Sequence, residues 1–370
     1  MEQPLKIVNY AVNGIGVWHL QRLLAVNRHI RRLAAADNCP LEIYFLTSSE
    51  AGNLLFAERF AYFKLPSLTT IAEAHLNADA FAVLARQWVG QTVALLRPDL
   101  LIADTFPQGG FAELSGVLPL ARRAAFIYRP SQESQMAAAE FQAALSGYDV
   151  LLVPATPETA AVIVPATDRH KLRYCGPIMA REVVETLPRA EARQLLGLAP
   201  EETAIFLSAG GGGAEQAESQ LLSAYAALQD WPGCRFVIGA GPLYRGARIY
   251  APEVIWLALE NTSELLPAMD VAVSAAGYNS FHELLFNGVP TLFWPQPKWA
   301  DDQYARAQRA ARAGAALMLE EPLDANALRC AVARLLEPEN RSGFAAAARR
   351  LAPRNYAPEA AQVLYQLLKS

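Results

Sequence analysis

The chain has 370 residues, more than a single hydrophobic core usually organises, so two domains are expected. Apolar residues make up 53% of it, enough to fill two cores, while the net charge of −4 offers no basic field for nucleic acid as the main partner. The four cysteines form no C-x-x-C pair and the five histidines are scattered, so they point to reduced thiols and not to a structural zinc site. No apolar run reaches the roughly 20 residues needed to span a bilayer. The first residues lack the long apolar segment and cleavage site of a signal peptide, and the expected location is the cytoplasm.

Short apolar strands alternate with helical stretches, the pattern of α/β architecture with parallel sheets covered on both faces. In the first half, strands are predicted at Leu5 to Val12, Leu41 to Thr47, Leu100 to Asp104, Ala124 to Arg129 and Val150 to Pro154. The turn Gly14-Ile15-Gly16-Val17-Trp18-His19 follows the first of them. It is not the dinucleotide fingerprint, because His19 stands where the third glycine would permit close helix packing. A neutral imidazole here can take a proton from a hydroxyl, or His19 caps or packs the helix that follows. Asp104 ends a strand at the same sheet edge. It is suited to orient His19, and equally suited to cap the turn Thr105 to Pro107. The stretch Ala72 to Leu96, with Phe81, Leu84, Trp88 and Leu95, reads as a core-facing helix in preference to one docked on a membrane.

Arg173 to Pro177 closes the first half, and the boundary is predicted near Ile178, with domains at 1–178 and 179–357. The second half restarts at Ala204 to Ser208, which runs into Gly210-Gly211-Gly212-Gly213. Those glycines form either a flexible turn or a surface that pyrophosphate can approach closely. Further strands are predicted at Arg235 to Ala240, Val254 to Leu257, Val271 to Ser274, Thr291 to Trp294 and Ala315 to Leu319. After Ser274 the small-residue turn Ala275-Ala276-Gly277 opens a helix carrying Asn279, Ser280, His282 and Glu283, and Asn287-Gly288 ends it. Its N-terminus attracts phosphate, and a carboxylate two turns in can accept both hydroxyls of a ribose. No D-x-D pair follows a strand end, so the metal-dependent arrangement of sugar transfer is not expected.

This succession, together with Gly288-Val289-Pro290 and Asp301-Asp302-Gln303, resembles the donor-binding half of the GT-B glycosyltransferases. The similarity is to the branch containing the N-acetylglucosaminyltransferase of peptidoglycan synthesis. It implies two Rossmann-like domains facing a cleft, with the helix 358–370 crossing back onto the first. It implies Glu283 for the ribose, and Gly277, Asn279 and Ser280 for the phosphates. Asp302 and Gln303 would hold the donor sugar. Gly16 and Gly210, Gly211 and Gly212 would lie along the donor, and backbone near Leu259 would meet the uracil. His19, aided by Asp104, would sit by the reacting carbon, with Trp18, Phe106, the Gly109-Gly110 turn, Tyr128 and the loop 130–135 forming an acceptor surface. The implied activity is inverting, metal-independent transfer from a UDP-sugar to a hydroxyl-bearing acceptor, small-molecule or lipid-linked, with no further cofactor. The alternatives are a nucleotide-sugar hydrolase and a non-catalytic sugar-nucleotide-binding subunit.

Overall fold

A computed structural model of the chain describes residues 3–12, 18–213, 215–241, 243–257, 262–298, 301–319 and 324–370. Gly16 and Leu259 lie outside the described residues. The chain divides into two units, Met1–Ile178 with Tyr356–Ser370, and Met179–Asn355.

In the first unit, seven parallel strands form one sheet: β1 Leu5–Ala11, β2 Leu41–Thr47, β3 Ala61–Lys64, β4 Leu100–Asp104, β5 Arg123–Ile127, β6 Val150–Val153 and β7 Leu172–Tyr174. Their order is β3-β2-β1-β4-β5-β6-β7. All five residues of β4 are buried, as a strand covered by helices on both faces must be. Alternate side chains therefore feed two cores. Ile7, Leu100, Ile102 and Ala125 pack with Leu20 and Leu23 of helix Trp18–Ala36 and with Ala361, Leu364 and Leu368 of helix Ala357–Lys369. Val8, Leu101, Ala103 and Phe126 face the other way, onto Phe81, Ala85, Val89 and Val93 of helix Ala78–Leu96. That helix turns one face inward as expected, leaving Leu84 and Leu95 outside. Among the described residues, no helix is long and apolar enough to cross a membrane.

Two details differ from the expectation. The edge strand β3 was not predicted; the apolar run Phe60-Ala61-Tyr62-Phe63 leads into it, yet all four residues of the strand are exposed. Tyr128, assigned above to an acceptor surface, is fully buried in the second core, and its hydroxyl donates to the Ile163 carbonyl at 2.8 Å.

The second unit repeats the plan with six parallel strands: β8 Thr203–Ser208, β9 Cys234–Ile238, β10 Val254–Trp256, β11 Val271–Ser274, β12 Thr291–Phe293 and β13 Leu317–Met318. The order is β10-β9-β8-β11-β12-β13. Helix Arg189–Leu195 is fastened beneath this sheet by charge. The buried Asp270 carboxylate accepts from Arg189 at 2.7 Å, Arg193 at 3.2 Å and the Ala204 N–H at 2.9 Å, and Arg341 lies 3.0 Å away. Within the same unit, Asn355 exchanges two hydrogen bonds with the Met179 backbone, each 3.0 Å, which ties the segment's first residue to its last.

Backbone packs directly on backbone where the loops after β8 and β9 meet. Gly212 has φ +81°, and a Cβ there would lie 2.3 Å from the Ala240 carbonyl oxygen. Gly233 also has a left-handed φ, +71°, but nothing within 4 Å. Gly233→Ala is therefore expected to cost about 1–2 kcal/mol, the conformational penalty alone. Gly212→Ala adds overpacking and should cost about 2–5 kcal/mol. Urea melts of the two variants check the order; equal losses would show that the loops yield at Gly212.

Candidate active site

In an open parallel sheet, ligands bind beyond the carboxyl ends of strands where the strand order reverses. In the first unit that reversal lies between β1 and β4, whose last paired residues are Ala11 and Asp104. His19, the second residue of the helix after β1, meets Asp104 there, with Nδ1 and Oδ1 2.5 Å apart. Both side chains are buried. The Asp104 carboxylate also accepts from the Thr105 hydroxyl at 2.7 Å, and its Oδ2 faces Arg22 Nη1 at 3.6 Å. Arg22 escaped the sequence reading, because nothing marks a helical arginine as buried until its partner is placed. The turn after β4 is strained: Thr105, a β-branched residue, has φ +66°. The Asp104 carboxylate thus lies against His19, Arg22 and the Thr105 hydroxyl, while the Phe106 N–H of the turn bonds its main-chain carbonyl at 2.8 Å.

Burial opposes charge on both groups, and the balance falls differently for each. For Asp104 the charges of Arg22 and His19 and the hydrogen bonds from His19 and Thr105 outweigh burial, and its pKa is lowered. For His19 burial dominates, Arg22 and Arg129 push the same way, and Asp104 compensates only in part; its pKa is lowered. An ionised carboxylate only accepts hydrogen bonds, so the proton of the neutral imidazole sits on Nδ1 and the lone pair on Nε2.

The Gly109-Gly110 turn is not an open wall. It wraps the buried Glu113 carboxylate, which accepts from the Gly110 N–H at 3.1 Å, the Phe111 N–H at 2.5 Å and the Tyr10 hydroxyl. Phe106 is beside the site, its ring centroid 5.8 Å from that of His19, and Trp18 is half-buried.

The second unit has its own reversal, between β8 and β11, where Ser208 pairs with Ser274. Gly210, Gly211 and Gly212 follow the one strand and Gly277 the other. The glycine loop has a packing duty, set by Gly212 and Gly241, and the helix beyond it begins at Ala217. Gly277 caps helix Tyr278–Asn287 without a side-chain bond, and Gly288 ends it with φ +66°. The first i→i−4 bond runs from the Phe281 N–H to Gly277, which places the helix's positive end at Gly277, Asn279 and Ser280. Arg306 adds charge to the same turn, donating to the Ala276 carbonyl at 2.6 Å while pairing with Asp301 at 2.6 Å. It lies some thirty residues further along, and its sequence neighbourhood gives no sign of this contact.

Other predicted residues are engaged in structure. Asp302 caps helix Gln303–Arg312 by accepting from the Ala305 N–H at 2.9 Å. Gln303 is buried, and its Oε1 accepts from the Gln296 N–H at 3.0 Å. Gln296 in turn donates to Gln220 at 2.7 Å and to the Ala209 carbonyl at 3.4 Å, so a buried amide chain runs beneath the glycine loop. Glu283 is buried; its Oε1 accepts from the Ala180 N–H at 3.3 Å. Burial raises its pKa, against opposing hydrogen bonds from Ser263 and Ala180 and the charge of Arg181. His282 is buried between the rings of Tyr278 and Phe281, 4.6 and 5.1 Å away.

Two doubly wound parallel sheets, each with its site residues at the strand-order reversal, define the GT-B fold of nucleotide-sugar glycosyltransferases, the resemblance drawn from the sequence. Solved glycosyltransferases share it along their whole length. The spinosyn forosaminyltransferase SpnP has a TM-score of 0.69 at 15% identity, with 100% of both chains covered. MurG of Acinetobacter baumannii has 0.61 at 16%, covering 98% of this chain and 99% of that one. Residues 253–362 match the model of the glycosyltransferase family 28 C-terminal domain. Two curated relatives bear the name UDP-N-acetylglucosamine–N-acetylmuramyl-(pentapeptide) pyrophosphoryl-undecaprenol N-acetylglucosamine transferase. The one from Gloeobacter violaceus is 39% identical over 131 residues, 35% of this chain and 34% of the relative. The one from a Nocardioides species is 26% identical over 224 residues, 57% of this chain and 60% of the relative. The matched stretches thus span about a third and three fifths of the relatives' lengths.

The lowered His19 pKa has a sign that can be checked. The folded protein prefers the neutral imidazole, so this contribution is fully present above the unfolded value of about 6.5 and is lost as pH falls from there through the lowered folded value. A ¹⁵N titration of histidine-labelled protein is expected to give a His19 midpoint below 6.5 with the proton on Nδ1. A midpoint above that value would reverse the electrostatic balance described.

Proposed function

We propose that the protein transfers a sugar from a UDP-sugar to a hydroxyl-bearing acceptor, with inversion at the anomeric carbon and without a metal ion. The observation that carries this reading is the buried His19–Asp104 pair, which leaves Nε2 as a base. In the proposed step, Nε2 takes the acceptor's hydroxyl proton as the acceptor oxygen bonds to the anomeric carbon. The carbon's bond to the diphosphate oxygen breaks, and that electron pair leaves with UDP. Attack opposite the leaving group inverts the centre. Asp104 steadies the imidazolium so formed.

The second unit supplies what a departing diphosphate needs. The helix end at Gly277 to Ser280 is a preorganised positive pole, and Arg306, held by Asp301 and the Ala276 carbonyl, is fixed beside it. Among the described residues no three His, Cys, Asp or Glu side chains converge as metal ligands would. Glu283 is assigned to the ribose, and Gly210, Gly211 and Gly212 to the approach of the pyrophosphate. Both curated relatives are named for UDP-N-acetylglucosamine, which makes it the first donor to test.

His19→Ala and Asp104→Asn should bind UDP nearly normally while turnover of UDP-N-acetylglucosamine with a mixed acceptor extract falls about 100-fold or more. Chelator should leave the native rate unchanged. Release of free sugar regardless of acceptor would replace transfer by hydrolysis, and tight donor binding without release would indicate a binding subunit. Binding without turnover in only one of the two variants would break the pair.

Glu283→Gln is the sharper test of donor binding, because the amide oxygen can still accept from Ala180 while one carboxylate acceptor is lost. UDP affinity measured by calorimetry should drop roughly tenfold, about 1.5 kcal/mol for a charge-assisted bond. Unchanged affinity would assign Glu283 to the Ala180 turn alone.

A further inference from the structure

We infer that Arg22 is a positioning residue of the His19–Asp104 pair: its buried guanidinium faces the second oxygen of Asp104 and so sets the charge and plane against which the Nδ1–H of His19 is held. The inference rests on the reading of His19 as the base. Arg22 follows His19 by three positions on helix Trp18–Ala36, which brings the two side chains to one helix face. The Asp104 carboxylate is thereby divided, with Oδ1 given to His19 at 2.5 Å and Oδ2 turned to Arg22 at 3.6 Å. The Arg22 side chain has no exposed surface. A guanidinium does not discharge when buried, as a lysine ammonium can. Its presence there is costly, and an apolar side chain of similar length would not carry that cost. A permanent cation inside the first unit is thus tied to the one carboxylate that needs to stay ionised.

Other described groups act on this cluster as well. Thr105 bonds Asp104 from the turn after β4, and Arg129 acts on His19 from the end of β5. Cys175, beyond β7, has its thiol pushed up to about 12, chiefly by burial. Arg22 acts on that thiol from one side and Glu359 of helix Ala357–Lys369 from the other. Cys175 stays neutral throughout the working range. Arg22 acts on both members of the pair, lowering the pKa of each. Removing a positive charge raises the affinity of the coupled pair for a proton, whichever atom receives it.

The test compares Arg22→Met and Arg22→Lys in the full chain, reading UDP release from UDP-N-acetylglucosamine against pH, UDP affinity, and the ¹⁵N titration of His19. In Arg22→Met the acid limb of turnover and the His19 titration should both move upward by about one pH unit. Its maximal rate should fall about tenfold or more, while UDP affinity stays within about twofold. Arg22→Lys restores the charge and should return the limb close to its native position. A native limb and native His19 titration in Arg22→Met would overturn the inference. So would equal losses of rate and UDP affinity in both variants, which mark a merely structural residue. If Arg22→Met does not fold, Arg22→Lys decides: an unmoved limb with a reduced rate supports the role, and a fully native rate removes it. His19→Ala with native turnover would instead refute the base assignment, a failure separable from this one because the ¹⁵N titration does not depend on turnover.

Discussion

Reversal of strand order is the constraint on which the rest depends. In a parallel sheet each strand's carboxyl end is followed by a connection that climbs to one face or the other. Only where successive connections diverge, between β1 and β4 and between β8 and β11, is the sheet's edge left uncovered. Every group given a chemical role here, save the buried Glu283 and Gln303 and the helix-capping Asp302, stands at such a gap or one helical turn beyond it. The hydrophobic cores on the two faces do not create these sites, but they hold the strand ends in register so that Asp104 meets His19 and the Gly277 turn lies beside the Gly210 loop.

At both ends of the strands the protein buries charge, which is stable only when each ion is answered. Asp270 does so for the linker helix, answered by three arginines and a backbone N–H. Asp104 does so for His19. The two carboxylates have different consequences. Asp270 is saturated by fixed cations and can only hold. Asp104 shares its oxygens between a cation and an imidazole that gains and loses a proton, so it can hold and also respond.

Most of the fold was legible because burial on both faces leaves a plain trace. Leu100 to Ala103, Ala204 to Leu207 and Val271 to Val273 are uninterrupted apolar runs, and their strands fall where those runs fall. β3 was not legible: Ala61–Lys64 is only four residues long and exposed throughout, so its short apolar run carries no alternation that marks a strand. In the site, His19 and the helix start at Gly277 announced themselves through position after a strand. Arg22, Arg306, Gln220 and Gln296 did not: a polar residue inside a helix or loop reads as solvated until the fold supplies Asp104, Ala276 or a second glutamine. The glycine run Gly210 to Gly213 was read for what it lets a ligand do. Gly212 and Gly241 show a second need, backbone lying directly on backbone, which sequence spacing of thirty residues does not reveal.

Helix Ala357–Lys369 belongs to the core of the first unit, with Ala357, Ala360, Ala361, Leu364 and Leu368 fully buried against helix Trp18–Ala36 and its sheet. During synthesis, residues 1–178 emerge before everything in 179–355, yet they wait for this helix to close one face. The helix Trp18–Ala36, which carries both His19 and Arg22, is therefore uncovered on that side until the whole second unit has been translated. The second unit, whose residues are contiguous, has no such dependence. Assembly on the ribosome thus favours the later-made unit finishing first, and the face of helix Trp18–Ala36 that packs on Ala357–Lys369 is covered only in the last step.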